Sequence, residues 1–179
     1  MKSLHREDLC IHQVCIWKQS SFKESLECIA RNRVFKTAIW KPLLNETELR
    51  YAKQNLRDSG VQAISICPLV LFDEESYPNA ATRHQSHQQF LEQAAELEVQ
   101  SVVVITGGIP RGSRDLAGQR ARVLEELQRL TPLAEDTGVR IALEPLHPMV
   151  CGYRSVLSLI HISEPTRPRL SSYAVFCLK

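Results

Sequence analysis

The stretch Val139-Arg140-Ile141-Ala142-Leu143-Glu144-Pro145-Leu146-His147-Pro148 is an apolar run that ends on a carboxylate, a proline and an imidazole. It follows Gly138, is too short for a helix and is β-branched at Val139 and Ile141, so it reads as a buried strand. Pro145 has no N–H for a sheet ladder, so the strand ends near it. Glu144 therefore stands at the C-terminal end of a buried strand, the end at which α/β folds bind ligands.

Upstream, the chain repeats a strand–helix unit. Leu9–Trp17 is a candidate first strand. Ser21 and Glu24 have capping-box spacing ahead of Phe22, Leu26 and Ile29, which share one helical face. Residues 35–40 form a second strand closed by Pro42. A helix starting at Asn45-Glu46-Thr47-Glu48 places Leu49, Ala52 and Leu56 on one side and ends at Gly60. Val61–Cys67 is a third strand, and Pro68–Pro78 a loop long enough to lie over a site. A helix over Thr82–Leu97, a strand over Val99–Ile105, a glycine-rich loop Thr106–Ser113 and a helix over Leu116–Thr137 lead to Gly138. Five strands separated by four helical segments match the spacing of a parallel sheet. A doubly wound sheet and the first five strands of a (β/α)8 barrel both fit. The glycine-rich loop has neither the dinucleotide nor the P-loop pattern.

The 44% hydrophobic content is enough for a core, and the 179 residues allow one ordinary domain. The six cysteines have no tight paired spacing, and several lie in apolar runs where a cysteine acts as a small buried hydrophobe, which predicts free thiols in a reducing, cytoplasmic compartment. The acidic N-terminus is unlike a signal peptide, and no apolar run reaches membrane-spanning length. A net charge of +2 without a basic cluster argues against nucleic acid as a partner.

Residues 157–179 resemble the translation of a sequencing adaptor, with Pro168-Arg169-Leu170 as the variable index and Ser171 departing from the usual Ile. On this reading residues 1–156 are the genuine domain, cut short, and 157–179 are a non-native tail. His161, Glu164 and Cys177 then carry no function. Without Arg167, Arg169, Lys179 and Glu164, 19 basic and 19 acidic residues remain, so the genuine part is neutral.

Leu143-Glu144-Pro145-Leu146-His147-Pro148-Met149 resembles the Glu-Pro-Leu-His-Pro stretch of the sugar phosphate isomerase/epimerase family, whose fold is the xylose isomerase-like TIM barrel. Gly107–Leu116 is similar to the loop after that family's fourth strand, and Gly138–Ala142 to the entry to its fifth. The resemblance covers residues 9–156. It departs at Arg31-Asn32-Arg33-Val34, where relatives have an Ala/Gly-rich helix end, and at Glu98, where they often have Gly. It implies a partial (β/α)8 barrel of about five strands, cut from a parent with a sugar or sugar-phosphate substrate and room for homo-oligomerisation. It also implies a divalent metal (Mn2+, Mg2+, Co2+ or Zn2+) held by Glu, Asp, His and Glu from strands five to eight. Only the first ligand maps here, onto Glu144, so the fragment itself is expected to hold metal poorly and to be inactive. A lyase or hydrolase of the same barrel group, including an endonuclease of abasic sites, and a non-catalytic carbohydrate-binding barrel are the alternatives.

Glu144 is the first candidate, as metal ligand and catalytic carboxylate, because a hard cation takes carboxylate oxygen and polarises a sugar carbonyl. The plain alternative is a helix cap or a salt bridge. His147 is a candidate catalytic or substrate-binding residue, or a neutral imidazole packed under the loop. Arg114 can meet a phosphate or an acid group, or form a solvated pair with Asp115. Trp17 and Trp40, near the ends of the first two strands, can stack on a sugar face or simply pack. His84 and His87 read as solvated helix residues.

Overall fold

The computed structural model describes residues 5–159 and 176–177. Its strands are β1 (Ile11–His12), β2 (Lys36–Trp40), β3 (Gln62–Val70), β4 (Ser101–Ile105), β5 (Arg140–Leu143) and β6 (Phe176–Cys177). They are hydrogen-bonded in chain order, from β1 to β6. β1–β2 and β2–β3 pair in parallel, with Ile11 opposite Thr37 and Lys36 opposite Gln62. The helices are α1 (Phe22–Arg31), α2 (Lys41–Asn45), α3 (Leu49–Ser59), α4 (Ala80–Glu96) and α5 (Leu116–Thr137). A parallel α/β sheet of five strands with intervening helices is the expected partial barrel.

The chain divides into two compact units, Met1–Pro68 with Glu92–Val102, and Leu69–Leu91 with Val103–Lys179. In the first, Phe22, Leu26 and Ile29 of α1, Ile39 of β2, Ala52 of α3 and Ile66 of β3 are buried. α1 starts as the sequence predicts: the Ser21 hydroxyl accepts from the Glu24 N–H and the Glu24 carboxylate accepts from the Ser21 N–H at 2.8 Å. In the second unit, Leu71, Leu91, Val104, Val123, Leu130, Ile141 and Val156 are buried. α5 keeps the predicted bounds, from the Asp115 cap to left-handed Gly138 at φ 70°.

Two strands differ from expectation. The first strand shrinks to Ile11–His12, because the chain turns into 3-10 segments at Gln13–Cys15 and Trp17–Gln19. Trp17 thus lies in a turn and not at a strand end. The third strand runs on to Val70 through Pro68, whose peptide bond to Cys67 is cis. Cys10 and Cys15 are exposed, against the expectation of burial, whereas Cys67 is buried. The two departures from the family pattern both fall on left-handed backbone, Arg33 at φ 57° and Glu98 at φ 58°. A Cβ is disfavoured there, which is the reason glycine suits these helix ends.

Of the expected tail, Leu157–Leu159 and the two residues of β6 are described. β6 pairs antiparallel with β5, with Ala142 opposite Cys177. His161 and Glu164 lie outside the described residues.

Candidate functional site

β5 delivers Glu144 to the C-terminal end of the sheet. Ile141 and Ala142 are buried, and the Glu144 N–H donates to the Val104 carbonyl at 2.8 Å, one residue past the strand. Pro145 follows and ends the ladder, as its missing N–H requires. The Glu144 side chain is half-buried, and among the described residues no hydrogen bond or ion pair reaches its carboxylate. Burial pushes its pKa above the ordinary value, and the charge of Arg154 pulls in the opposite direction. Sequence reading missed Arg154, which no motif marks. The backbone brings it back: its N–H donates to the Val150 carbonyl at 2.9 Å, and the Gly152 N–H to the Ser155 carbonyl at 2.7 Å.

His147 is exposed and has a local task. Its Nδ1 accepts from the Met149 N–H at 3.3 Å and caps the 3-10 turn Pro148–Val150. Only Nε2 is left to meet a substrate, and no hydrogen bond or ion pair joins the ring to Glu144 among the described residues. Asp115 caps α5 by accepting from the Gly118 N–H at 2.8 Å. It makes no ion pair with Arg114, which is exposed. The glycine-rich loop is explained by close backbone approach. A Cβ at Gly107 would collide with the Phe72 carbonyl, and one at Gly108 with the Tyr153 carbonyl. Thr106 Oγ1 and Ser155 Oγ, 2.9 Å apart and buried, tie the same loop to the segment after β5.

In the first unit, Trp40 ends β2. Its backbone N–H donates to Gln13 Oε1 at 3.0 Å, and Gln13 Nε2 donates to Ser25 Oγ at 2.8 Å. Gln13 is fully buried, and the sequence contains no signal for this anchoring role. The His12 ring meets the Trp40 ring edge-on at 5.8 Å. His12 Nδ1 accepts from the Val14 N–H at 3.1 Å, and burial lowers its pKa, so its Nε2 is a fixed donor at neutral pH. Trp40 Nε1 is buried without a hydrogen-bond partner. Lys41, next in the chain, donates to Gln93 Oε1 at 2.6 Å, and burial lowers its pKa to about 8. Trp17 is 38% exposed, with Lys18 Nζ 5.8 Å from its ring centroid.

His84 and His87 are not the solvated helix residues expected. Both point at Glu126, far along the chain on the buried face of α5: His84 Nε2 lies 3.1 Å from Oε2, and His87 Nδ1 lies 3.0 Å from Oε1. Arg83 Nη2 joins Oε2 at 3.4 Å. Among the described residues no three His, Cys, Asp or Glu side chains are arranged to hold a metal ion. The family's metal therefore does not fit the described residues taken alone: they supply Glu144 and no second ligand. Nor is any described helix long and apolar enough to cross a membrane.

No curated protein matches the chain. A crystal structure of a Sinorhizobium meliloti 1021 protein is 28% identical, with a TM-score of 0.77 over 86% of this chain and 56% of its own. An IolI protein with a bound zinc atom is 18% identical, with a TM-score of 0.65 over 83% of this chain and 53% of its own. D-psicose 3-epimerase from Clostridium cellulolyticum H10, solved with D-tagatose, is 19% identical, with a TM-score of 0.61 over 77% and 52%. The chain thus spans just over half the length of these structures. The family model described as xylose isomerase-like TIM barrel matches residues 26–169, beyond the expected boundary at 156. With its parallel sheet in chain order and a match over most of its length, the chain belongs to the xylose isomerase-like TIM barrel family.

Proposed function

We propose that the parent protein, of which residues 1–156 are the N-terminal part, isomerises or epimerises a sugar or sugar phosphate, and that Glu144 is one of its site carboxylates. The observation that carries this reading is Glu144 itself, a half-buried carboxylate at a parallel strand's C-terminal end with no donor spent on it. Epimerases among the structural neighbours support the substrate class. The chemistry is proton removal from the carbon beside a carbonyl. The C–H electron pair forms an enediolate, and the proton returns either to the neighbouring carbon, which isomerises, or to the opposite face, which epimerises. Poor solvation makes the Glu144 carboxylate a stronger base or a stronger cation ligand than one in water. His147 can offer Nε2 to a sugar hydroxyl. Arg114 and Arg154 are the cations available to a phosphate. A divalent cation held by Glu144 in the parent would stabilise the enediolate charge.

Ketose–aldose interconversion and epimerisation assays on hexoses and pentoses, phosphorylated and free, with added Mn2+ or Mg2+, test this reading on the parent and on the 179-residue chain. The parent should turn over at least one sugar pair, and Glu144→Gln should lower kcat by about 10²–10³-fold. The 179-residue chain should bind Mn2+ weakly and show no turnover. A parent inactive on the whole panel would sink the isomerase reading in favour of a lyase, a hydrolase or a binding barrel. Tight stoichiometric Mn2+ binding by the 179-residue chain, lost in Glu144→Gln, would show that its site is more complete than proposed.

A further inference from the structure

The Glu126 cluster makes no hydrogen bond or ion pair with Glu144 among the described residues, and the loop between β3 and α4 packs against it. Glu126 is 3% exposed and His87 fully buried. A carboxylate only accepts hydrogen bonds, so each imidazole must present an N–H to it: Nε2–H from His84 and Nδ1–H from His87. This leaves His87 Nε2 as a bare lone pair facing the Val70 carbonyl of β3. In that tautomer Nε2 has no proton to give, and it is buried without a hydrogen-bond partner among the described residues. Arg83 balances Glu126 in charge, so the cluster is neutral while both imidazoles are neutral.

The loop between β3 and α4, residues 71–79, leans on this cluster. The Tyr77 ring packs edge-on against His87 at 5.3 Å. The Phe72 ring lies under the Arg83 guanidinium at 4.7 Å and under that of Arg122 at 4.9 Å. The loop's own hydrogen bonds are local and centred on Asp73, which accepts from the Glu75 N–H, the Ser76 hydroxyl and the Tyr77 N–H. Beyond these, Glu75 makes an exposed ion pair with Arg111 at 3.7 Å, of small value in water.

We propose that Arg83, His84, His87 and Glu126 form a proton-sensitive latch: with a neutral His87 imidazole they hold the β3–α4 loop down, and proton uptake by His87 releases it. The groups facing His87 are Glu126 from α5, Arg83 from its own helix, Tyr77 from the loop and the Val70 carbonyl from β3. A proton on His87 gains the Val70 carbonyl as acceptor and strengthens the attraction to Glu126. Against this, it puts a second cation beside Arg83 on a ring that is itself fully buried. Burial is the larger influence and lowers the His87 pKa below 6.5. The released state, in which the ring is hydrated, therefore takes up protons more readily and gains population as pH falls. Arg83 also makes the cluster hostile to a metal cation.

Amide hydrogen exchange on the 179-residue chain tests the latch. Between about pH 7.5 and pH 5.5 the protection factor of the Tyr77 amide should fall ~10-fold relative to that of Ile141 in β5, since one proton taken up on opening gives up to tenfold per pH unit. The His87 imidazole nitrogens should show the Nδ1–H tautomer at neutral pH and titrate below 6.5. His87→Gln keeps a donor for Glu126 but carries no titratable group, and should flatten the pH dependence. If that variant does not fold, the exchange and nitrogen signals of the unmodified chain still decide. Loop protection that is constant or rises in acid, an Nε2–H tautomer, or titration at or above 6.5 would each overturn the latch. None of these readouts involves Glu144 or turnover, so the isomerase reading stands or falls separately.

Discussion

Glu144 and Glu126 are two carboxylates of the same unit that meet opposite fates. Glu126 sits on the buried face of a 22-residue helix and receives three donors, at 3.0, 3.1 and 3.4 Å. Glu144 sits one residue beyond a strand, half-buried, with a distant arginine charge and no hydrogen bond among the described residues. A carboxylate whose neighbours are packed donor side chains has its lone pairs committed to the fold. One at a strand end has backbone behind it and open oxygens in front. Partial desolvation without compensation costs stability and leaves binding capacity, and on this ground we propose Glu144, and not the better-connected Glu126, as the functional group.

The largest expected consequence of this contrast is in stability. Glu126→Ala strands Arg83 and two imidazole N–H groups, and should cost about 3–5 kcal/mol, the range for breaking a buried pair. Urea unfolding measures it, and a loss as small as that of Glu144→Ala would erase the distinction. Arg83→Met leaves Glu126 with the two imidazoles and should cost about 1–3 kcal/mol by the same measurement.

The pH dependence of unfolding sharpens the comparison through its sign. His87 has a folded pKa below its ordinary 6.5, so the unfolded chain binds more protons and stability is lost as pH falls through that window. Glu144 has a folded pKa above its ordinary 4.5. Its contribution is therefore present below 4.5 and lost as pH rises through the folded value. His87→Gln should remove the first slope and Glu144→Gln the second, and exchanged effects would show that the two environments have been misassigned. At neutral pH Glu144→Gln should change stability by less than about 0.5 kcal/mol, in the stabilising direction. The smallest effect belongs to His147→Ala, which removes one long capping bond at an exposed turn and should cost below ~1 kcal/mol in a thermal melt, with His147→Asn restoring it.

Much of the fold was legible because its signals are local. The Ser21–Glu24 box, Gly60, Gly138 and the bounds of α5 each depend on a few neighbouring residues, and each lies where the pattern places it. The first strand was overdrawn because Leu9–Trp17 alternates imperfectly, and the pattern does not reveal that His12 caps a 3-10 turn through the Val14 N–H. The third strand was cut too early because a proline ordinarily ends a ladder, whereas here Leu71 still donates to the Ile105 carbonyl beyond it.

The candidate site divides along the same line. Period, turn residues and the Glu-Pro-Leu-His-Pro stretch suffice to place Glu144 at a strand end, because a strand's end is defined within its own segment. They suffice also for the family. Whether an acid or an imidazole is free or consumed depends on partners supplied from elsewhere in the chain. His84 and His87 find Glu126 from 42 and 39 residues away, Gln13 finds Trp40 from 27, and Arg154 returns to Glu144 through a turn that no motif announces. Helical spacing identifies which side chains share a face, but not what that face meets. Hydrogen bonding and desolvation are set at that meeting, so the latch and the open carboxylate emerge only once the helices and strands have packed.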